Sequence, residues 1–246
     1  MKYAAIVLGA FVIAGCQPTD TALNDADTEF GPYRTFATSF DDRPRYFPPH
    51  GPDTARQAAS FDAGVAAFTI QPGMTPSSSD IPNGTERAEM GQIADGAGFV
   101  RQSFRVRVDP GFTVERRLMI AQIKQGRNTT FSPAIAVYLS EGGQAKCIDY
   151  TGDQQDQNIQ SIRSHGINLI DGNWHNVVME YVLSDTDGFC RVTVDNQIIV
   201  SMSGHDSDPD GAELAARIGP YRDKVDYPQT IYFDDWAVEL WREIPF

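Results

Sequence analysis

The chain has 246 residues, of which 41% are hydrophobic, and this length fits one large all-β domain or two small ones. Its formal net charge is −13 at pH 7. Such an acidic surface argues against nucleic acid as a partner and against nonspecific adhesion to anionic membranes. It does not exclude an anionic substrate, because a local basic cleft can lie within an acidic exterior.

The first 15 residues resemble the signal peptide of a bacterial lipoprotein. Lys2 supplies a charged start, Ala4–Ala14 is an apolar run too short to span a membrane, and small residues lead into Cys16. We therefore expect the protein to be exported, Cys16 to be lipidated and the acyl chains to anchor the protein in a membrane. Gln17, the residue after the cysteine, favours sorting to the outer membrane, with the periplasm as the other expected location. The alternative is an ordinary secretory signal followed by an incidental cysteine.

The segment after the signal is expected to be a tether. Residues 16–35 are polar and rich in Asp and Thr, which is typical of a flexible connection between an anchor and a folded part. Residues 42–54 contain four prolines and are not expected to form regular structure. The folded domain is predicted to cover residues 36–246.

Beyond residue 54, short runs of alternating hydrophobicity are separated by Gly, Asp, Asn and Pro, which predicts β-strands. In residues 98–111, Phe104 and Val106 lie on one face of the predicted strand, and Arg105 and Arg107 lie on the other. The other predicted strands are 64–73, 116–125, 133–140, 173–184, 188–204, 215–222 and 229–241.

Turn residues and the absence of long helices define the expected fold class. Asp185–Gly188 and Asp195-Asn196 have the composition of hairpin turns, and no long amphipathic helix or fixed repeat is evident. Many short strands at this spacing predict an all-β, two-sheet sandwich or jelly roll of the concanavalin A-like lectin/glucanase type. Cys147 and Cys190 form an isolated pair that would be a disulfide in an oxidising compartment; two buried free thiols are the alternative.

Three segments place polar side chains two residues apart, which puts them on one face of a strand. These are Arg87 with Glu89, Gln122 with Lys124, and Arg217 with Gly219 and Tyr221. Each segment alone is explained as well by a solvated outer face as by a functional site. Gly219 lacks a side chain, so another group could approach its backbone closely.

Together these residue types suit the removal of a proton beside a carboxylate. Arg87 and Gln122 could neutralise the carboxylate through hydrogen bonds that strengthen as charge develops. Tyr221 or Lys124 could transfer the proton if a neighbouring cation or desolvation lowers its pKa.

The order of the three segments resembles the R-x-E, Q-x-H and K-x-G-x-Y signature of jelly-roll polysaccharide lyases, namely alginate lyases, heparin lyase I and glucuronan lyase. The matching residues are Arg87-Ala88-Glu89, Gln122-Ile123-Lys124 and Arg217-Ile218-Gly219-Pro220-Tyr221. The flanking segments 66–73, 172–204 and 218–240 are also similar. The resemblance extends over about residues 36–241.

The resemblance implies a polysaccharide lyase that binds an acidic polysaccharide and cleaves it by β-elimination at a uronic acid. In that case Arg87 and Gln122 would neutralise the uronate, and Tyr221 would be the general acid and a candidate for the base. Glu89 would orient Arg87. Arg217, which stands where the family usually has Lys, would bind substrate. The chain is expected to act as a monomer on a glycan that these residues do not distinguish among alginate, glucuronan, ulvan and glycosaminoglycans.

One departure from the signature concerns Lys124, which replaces the family's histidine. A lysine amine is normally protonated at neutral pH and is then a poor base. Lys124 could clamp the carboxylate while Tyr221 acts as base and acid, or it could be a desolvated base. Alternatively the chemistry is lost and the chain is a non-catalytic glycan-binding lipoprotein. His165, in a predicted loop, could replace the missing histidine, and Arg222 is a further candidate for substrate binding.

Other chemistry is less well supported by the sequence. No strand carries the closely spaced acids of a jelly-roll glycoside hydrolase. His175 is expected to be structural. Asp206, Asp208 and Asp210 could bind calcium through oxygen, but no Glu completes an EF-hand loop. We therefore expect no cofactor and no catalytic metal, with a structural calcium as the one open exception.

Overall fold

A computed structural model of the chain describes residues 31–41, 59–75, 80–94, 97–114, 117–125, 133–139, 143–150, 159–164, 166–207, 214–243 and 245. The predicted lipidation site Cys16 and the candidate His165 lie outside these ranges. Among the residues that are described, no helix is long and apolar enough to cross a membrane.

The described residues form β-strands and one four-residue helix. The strands are β1 Arg34–Thr38, β2 Ala59–Asp62, β3 Val65–Ile70, β4 Thr85–Arg87, β5 Met90–Ile93, β6 Phe99–Arg107, β7 Leu118–Gln125, β8 Ile135–Tyr138, β9 Gln144–Tyr150, β10 Ile159–Ser164, β11 Trp174–Val182, β12 Gly188–Val194, β13 Gln197–His205, β14 Leu214–Asp223 and β15 Gln229–Trp241. The helix, α1, spans Asp80–Asn83.

The strands form two antiparallel sheets that pack as a jelly-roll sandwich, which confirms the predicted fold class. Sheet A has the order β13-β12-β11-β6-β15-β3-β2, with β1 also paired to β15. Sheet B has the order β10-β9-β8-β7-β14-β4, with β5 also paired to β14. The main hydrophobic core lies between the sheets and includes Phe68, Ile120, Met179, Phe233 and Trp236.

Most of the strands predicted from alternation are present, with shifted ends. Residues 188–204 form a hairpin of two strands, and the turn lies at the predicted Asp195-Asn196, where the φ values are 48° and 65°. The sequence did not predict β1, β2, β10 or α1. β1 begins at Arg34, inside the predicted tether, because Arg34 pairs with Leu240 of β15.

A disulfide crosses the sandwich, which is one of the two alternatives that the sequence left open for the cysteine pair. Cys147 of β9 in sheet B is bonded to Cys190 of β12 in sheet A. Both cysteines are fully buried in the main core. The bond therefore fixes the middle of β9 against the opposite sheet, and this positions the side chains that β9 presents on its outer face.

Candidate active site

The three polar segments lie on the outer face of sheet B, which faces away from the core. In β14, Ala216 and Ile218 belong to the core, so the intervening Arg217 points the other way. A separate small apolar cluster lies on this outer face. Its members are Met119, Ala136, Tyr138 and Tyr221. The face therefore has apolar patches among its polar groups.

Strand pairing arranges the outer-face side chains in two rows that run across the strands. The first row is Arg87, Tyr221, Met119, Tyr138 and Gln144. The second row is Arg217, Gln122, Ala136, Lys146 and Arg163. A register shift in β7 between Met119 and Ala121 lets Met119 share a face with Gln122, although the two residues are an odd number apart.

Glu89 is the centre of the polar contacts between the two rows. Its carboxylate lies 3.3 Å from Nη1 of Arg87 and 4.0 Å from Nη1 of Arg217. It also accepts a hydrogen bond from Nε2 of Gln122. All four residues are buried, between 2% and 4% exposed. The sequence predicted a shared face only within each segment, such as Arg87 with Glu89, and the structure brings residues of all three segments into contact with Glu89.

Asp80, in helix α1, is a partner of Arg87 that the sequence analysis missed. Nε of Arg87 donates to both carboxylate oxygens of Asp80, at 2.8 and 3.0 Å, and Nη2 donates to the same group. Thr85 donates to Asp80 at 3.1 Å. Because Asp80 is fully buried, its charge must be paired, and Arg87 is the partner that pairs it.

The two arginines differ in how well their charges are matched. Burial lowers the pKa of Arg87, but Glu89 and Asp80 outweigh burial, so the pKa is raised. The pKa of Arg217 is lowered by burial and by the charge of Arg87, against the single carboxylate of Glu89. Arginine remains protonated in either case. Two carboxylates and two guanidinium groups thus form a buried cluster with no net charge.

Lys124 adds one positive charge beside this neutral cluster. Its pKa is lowered to about 8 by burial and by the charges of Arg217 and Arg87, while Glu89 and Asp80 oppose the shift. Lys124 is half-buried, and it lies on the same outer face as Gln122. The group is therefore mostly protonated at pH 7 and titrates in the mildly alkaline range.

Tyr221 lies beside Arg87 on the same face. The guanidinium carbon of Arg87 is 4.0 Å from the centroid of the Tyr221 ring, and the two residues are direct cross-strand partners. Tyr221 is half-buried and packs against the small apolar cluster of the outer face. A cation held against the ring attracts its π face and also stabilises negative charge that develops on the phenol oxygen.

Gly219 is required by the close approach of the chain segment that carries Glu89. A Cβ atom at Gly219 would lie 2.1 Å from the carbonyl oxygen of Ala88 and 3.0 Å from Cα of Glu89. The φ angle of 117° also favours glycine. The expectation that a group approaches this backbone is correct, and that group is the chain itself.

Arg222 does not lie on the outer face, contrary to its expected role in substrate binding. Side chains alternate along β14, so Arg222 points toward the core side and is 2% exposed. Its Nε and Nη2 donate to Glu86 at 3.0 and 2.8 Å, and Nη1 donates to Gln229 at 2.6 Å. Its hydrogen-bonding groups are committed within the sandwich.

His175 and Asp234 lie away from these rows, in strands of sheet A. His175 bridges Asp195, at 2.7 Å from Nδ1, and Asp171, at 3.0 Å from Nε2, which fits the expected structural role. Asp234 pairs with Arg105 at 3.1 Å in sheet A. Among the described residues, no group of three or more His, Cys, Asp or Glu is arranged to hold a metal ion.

Comparison with protein families places the chain in a known group. Residues 59–237 match the family model described as polysaccharide lyase. Because the match covers most of the chain, including every residue of the two rows, the chain belongs to the polysaccharide lyase family. No match is found among curated protein sequences.

Solved structures support the same fold. Endo-β-1,4-glucuronan lyase from the fungus Trichoderma reesei is 14% identical with a TM-score of 0.57, over 74% of this chain and 86% of that one. Alginate lyase A1-II′, a member of polysaccharide lyase family-7, is 17% identical with a TM-score of 0.54, over 76% and 85% of the two chains. The chain is thus a jelly-roll polysaccharide lyase by family and by fold.

Proposed function

We propose that this lyase cleaves a uronic-acid-containing polysaccharide by β-elimination and leaves a 4,5-unsaturated uronate end. The observation that carries the proposal is the position of Tyr221, stacked against Arg87 on the same face as Gln122 and Lys124. A reacting sugar laid across that face would meet a phenol, an amide and an amine at once.

Lys124 and Gln122 are the groups proposed to neutralise the uronate carboxylate. The charges of Arg87 and Arg217 are already matched by Asp80 and Glu89, so Lys124 supplies the net positive charge. One N–H of the Gln122 amide is used by Glu89, and the amide nitrogen carries a second N–H for the substrate. Drawing charge onto the carboxylate makes the adjacent C5 proton easier to remove.

Tyr221 is proposed to move the proton. In its phenolate form the Tyr221 oxygen takes the C5 proton, the C–H electron pair becomes the C4=C5 double bond, and the C4–O4 bond breaks. The departing O4 then takes the proton back from Tyr221, so the residue ends as it began. Arg87, 4.0 Å from the ring, stabilises the phenolate, and Asp80 and Glu89 hold Arg87 in place.

The test is to incubate the purified protein with a panel of uronate polysaccharides and follow the ultraviolet absorbance of the unsaturated uronate. We expect Tyr221→Phe to abolish the rise with at least one polymer. Tyr232→Phe is the matched control, since Tyr232 also lies under an arginine, Arg107 at 4.3 Å, but in sheet A. Equal rates in Tyr221→Phe and the parent protein would refute the proposed role of Tyr221.

A non-catalytic glycan-binding role is the second candidate, favoured by the lysine in the position of the family's histidine. In that case no polymer would give an absorbance rise, yet one would retard the protein in affinity electrophoresis. Because binding and cleavage are measured separately, the two candidates give different results with the same panel.

We also propose that the protein is exported and anchored by lipid on Cys16. The disulfide between Cys147 and Cys190 supports export, because such bonds persist in oxidising compartments. Mass spectrometry of the mature N-terminus tests the anchor. We expect a lipidated Cys16, and Cys16→Ser should move the protein from the membrane fraction to the soluble fraction.

A further inference from the structure

A second group of cations lies on the outer face of sheet B, away from the proposed catalytic residues. Lys146 in β9 belongs to the same row as Gln122, and it is separated from Gln122 only by Ala136 of β8. Arg163 of β10 is the next member of the row. Arg117, just before β7, is close enough for its charge to act on Lys146.

The side chain of Lys146 is held in place rather than free in solvent. It is 8% exposed, and the residue after it, Cys147, is bonded to the opposite sheet. Burial and the charges of Arg163 and Arg117 lower its pKa to about 8, so it remains mostly protonated at pH 7. Among the described residues, the one ion pair of this group joins Arg117 to Asp223 at 3.6 Å. The three cations therefore leave an excess of positive charge.

The spacing between the two groups fits a polymer. Two strand spacings separate Gln122 from Lys146, roughly 10 Å, which is on the order of two sugar units in a pyranose chain. Ala136, between them, is too small to block a chain lying along the row. An extended polysaccharide that lies along this row, with its reacting sugar at Gln122, would pass over Lys146.

We propose that Lys146, with Arg163 and Arg117, forms a second anion-binding subsite that takes the carboxylate of a uronate two sugars away from the reacting one. This inference rests on the proposed function, because it takes Gln122 as the position of the reacting sugar. It predicts a preference for polymers in which acidic residues recur, and weak binding of fragments too short to span both positions. A sulfate ester carries a similar negative charge and could bind the same cations. The test therefore compares a carboxylate polymer with a sulfated one.

The test measures binding in the Tyr221→Phe background, so that cleavage does not remove the ligand. The variants are Lys146→Met and Arg163→Met. Arg101→Met is the control, which removes one positive charge from sheet A, where Arg101 is 44% exposed and 3.6 Å from Glu239. The probes are an unsulfated polyuronate, the same polymer after carboxyl reduction, a sulfated neutral glucan and a uronate disaccharide.

We expect Lys146→Met to weaken binding of the polyuronate about tenfold, the effect of one lost charge-assisted hydrogen bond. Arg163→Met should weaken binding of the polyuronate by a smaller factor. Because Arg163 is exposed, this variant does not disturb a buried position. Arg101→Met should change nothing, and binding of the disaccharide should be equal in all variants. The carboxyl-reduced polymer should bind weakly and without dependence on Lys146.

The proposed subsite is refuted if Lys146→Met binds the polyuronate as tightly as the parent. It is also refuted if Arg101→Met loses as much affinity for the polyuronate as Lys146→Met does. Dependence on Lys146 for the sulfated glucan but not for the polyuronate would overturn the assignment to a carboxylate. A lyase assay of Lys146→Met in the active protein separates this inference from the proposed function. Unsaturated product with an unchanged KM would refute the subsite and leave the lyase mechanism intact. Binding that depends on Lys146, together with no product from the parent protein, would refute the mechanism and leave only an anion-binding site at Lys146.

Discussion

Arg87 and Tyr221 face each other across β4 and β14, with the guanidinium carbon 4.0 Å from the centroid of the phenol ring. Asp80 and Glu89 hold the same guanidinium through hydrogen bonds of 2.8 to 3.3 Å. A guanidinium fixed by two carboxylates and a ring is not free to move onto a substrate. We infer that Arg87 mainly serves Tyr221, and that the substrate carboxylate is met by Lys124 and Gln122.

The pH dependence of activity tests the role of Lys124. Its pKa is lowered to about 8, so its positive charge is lost as the pH rises through that value. As a carboxylate clamp, Lys124 should make kcat/KM of the parent protein fall, relative to that of Lys124→Arg, about tenfold per pH unit above about pH 8, because only the parent loses this charge. Lys124→Arg keeps its charge over the whole range and should abolish this decline. Initial rates of absorbance change at a series of pH values measure both profiles.

The opposite profile would identify Lys124 as the base. In that case kcat/KM of the parent protein would rise through about pH 8, and Lys124→Arg would be inactive at every pH, since arginine stays protonated. Lys224→Arg is the matched control, because Lys224 is exposed in the turn after β14. It should leave the pH profile unchanged.

Asp80→Asn tests whether the buried charges act on Lys124. The negative charge of Asp80 raises the pKa of Lys124, so its removal should lower that pKa and move the alkaline decline in kcat/KM to lower pH. The loss of the Arg87 contact should also reduce kcat about tenfold, the effect of one charge-assisted hydrogen bond. A reduced rate with an unmoved pH profile would contradict this electrostatic role and leave Asp80 a purely structural partner.

Local sequence pattern was enough to place the polar segments on strands, because alternation fixes which residues share a face. It correctly put Glu89 with Arg87 and Lys124 with Gln122. It failed at Arg222, which follows Tyr221 and therefore lies on the opposite face. The same alternation applied to that residue would have predicted its burial.

The rest of the site depends on pairing between strands that are distant in sequence. Nothing local to Asp80 identifies Arg87 as its partner, since the contact forms only when α1 folds back onto β4. Lys146 and Arg163 enter the second row only through the order of β8, β9 and β10 in sheet B. The order of strands in a sheet depends on how the whole sheet assembles, and alternation within one segment does not encode it.

Substitution of Gly219 should damage the site through the backbone. In Gly219→Ala the new Cβ would collide with the Ala88 carbonyl oxygen and occupy a φ of 117°, so we expect a loss of about 3 kcal/mol in the free energy of unfolding. Displacement of Glu89 should also lower kcat/KM in the protein that still folds. Gly111→Ala is the control, with φ of 84° and nothing within 4 Å of the Cβ position.

Chemical denaturation and the lyase assay measure the two effects of Gly219→Ala. The control should lose about 1 kcal/mol from φ strain alone and keep its activity. Equal stability losses in the two variants would mean that the Ala88–Glu89 backbone yields to the added methyl group. The close approach would then not be what requires glycine at this position.

Arg222→Met tests the assignment of Arg222 to the interior of the sandwich. The substitution leaves the buried carboxylate of Glu86 without its cation, so we expect a loss of about 3–5 kcal/mol in the free energy of unfolding by urea. KM for the polysaccharide should not change in the protein that folds. The double variant Arg222→Met with Glu86→Gln should recover part of the loss, because the amide removes the unpaired charge and can still accept from Gly73. If Arg222→Met instead raised KM and left the free energy of unfolding unchanged, Arg222 would be a substrate-binding residue after all.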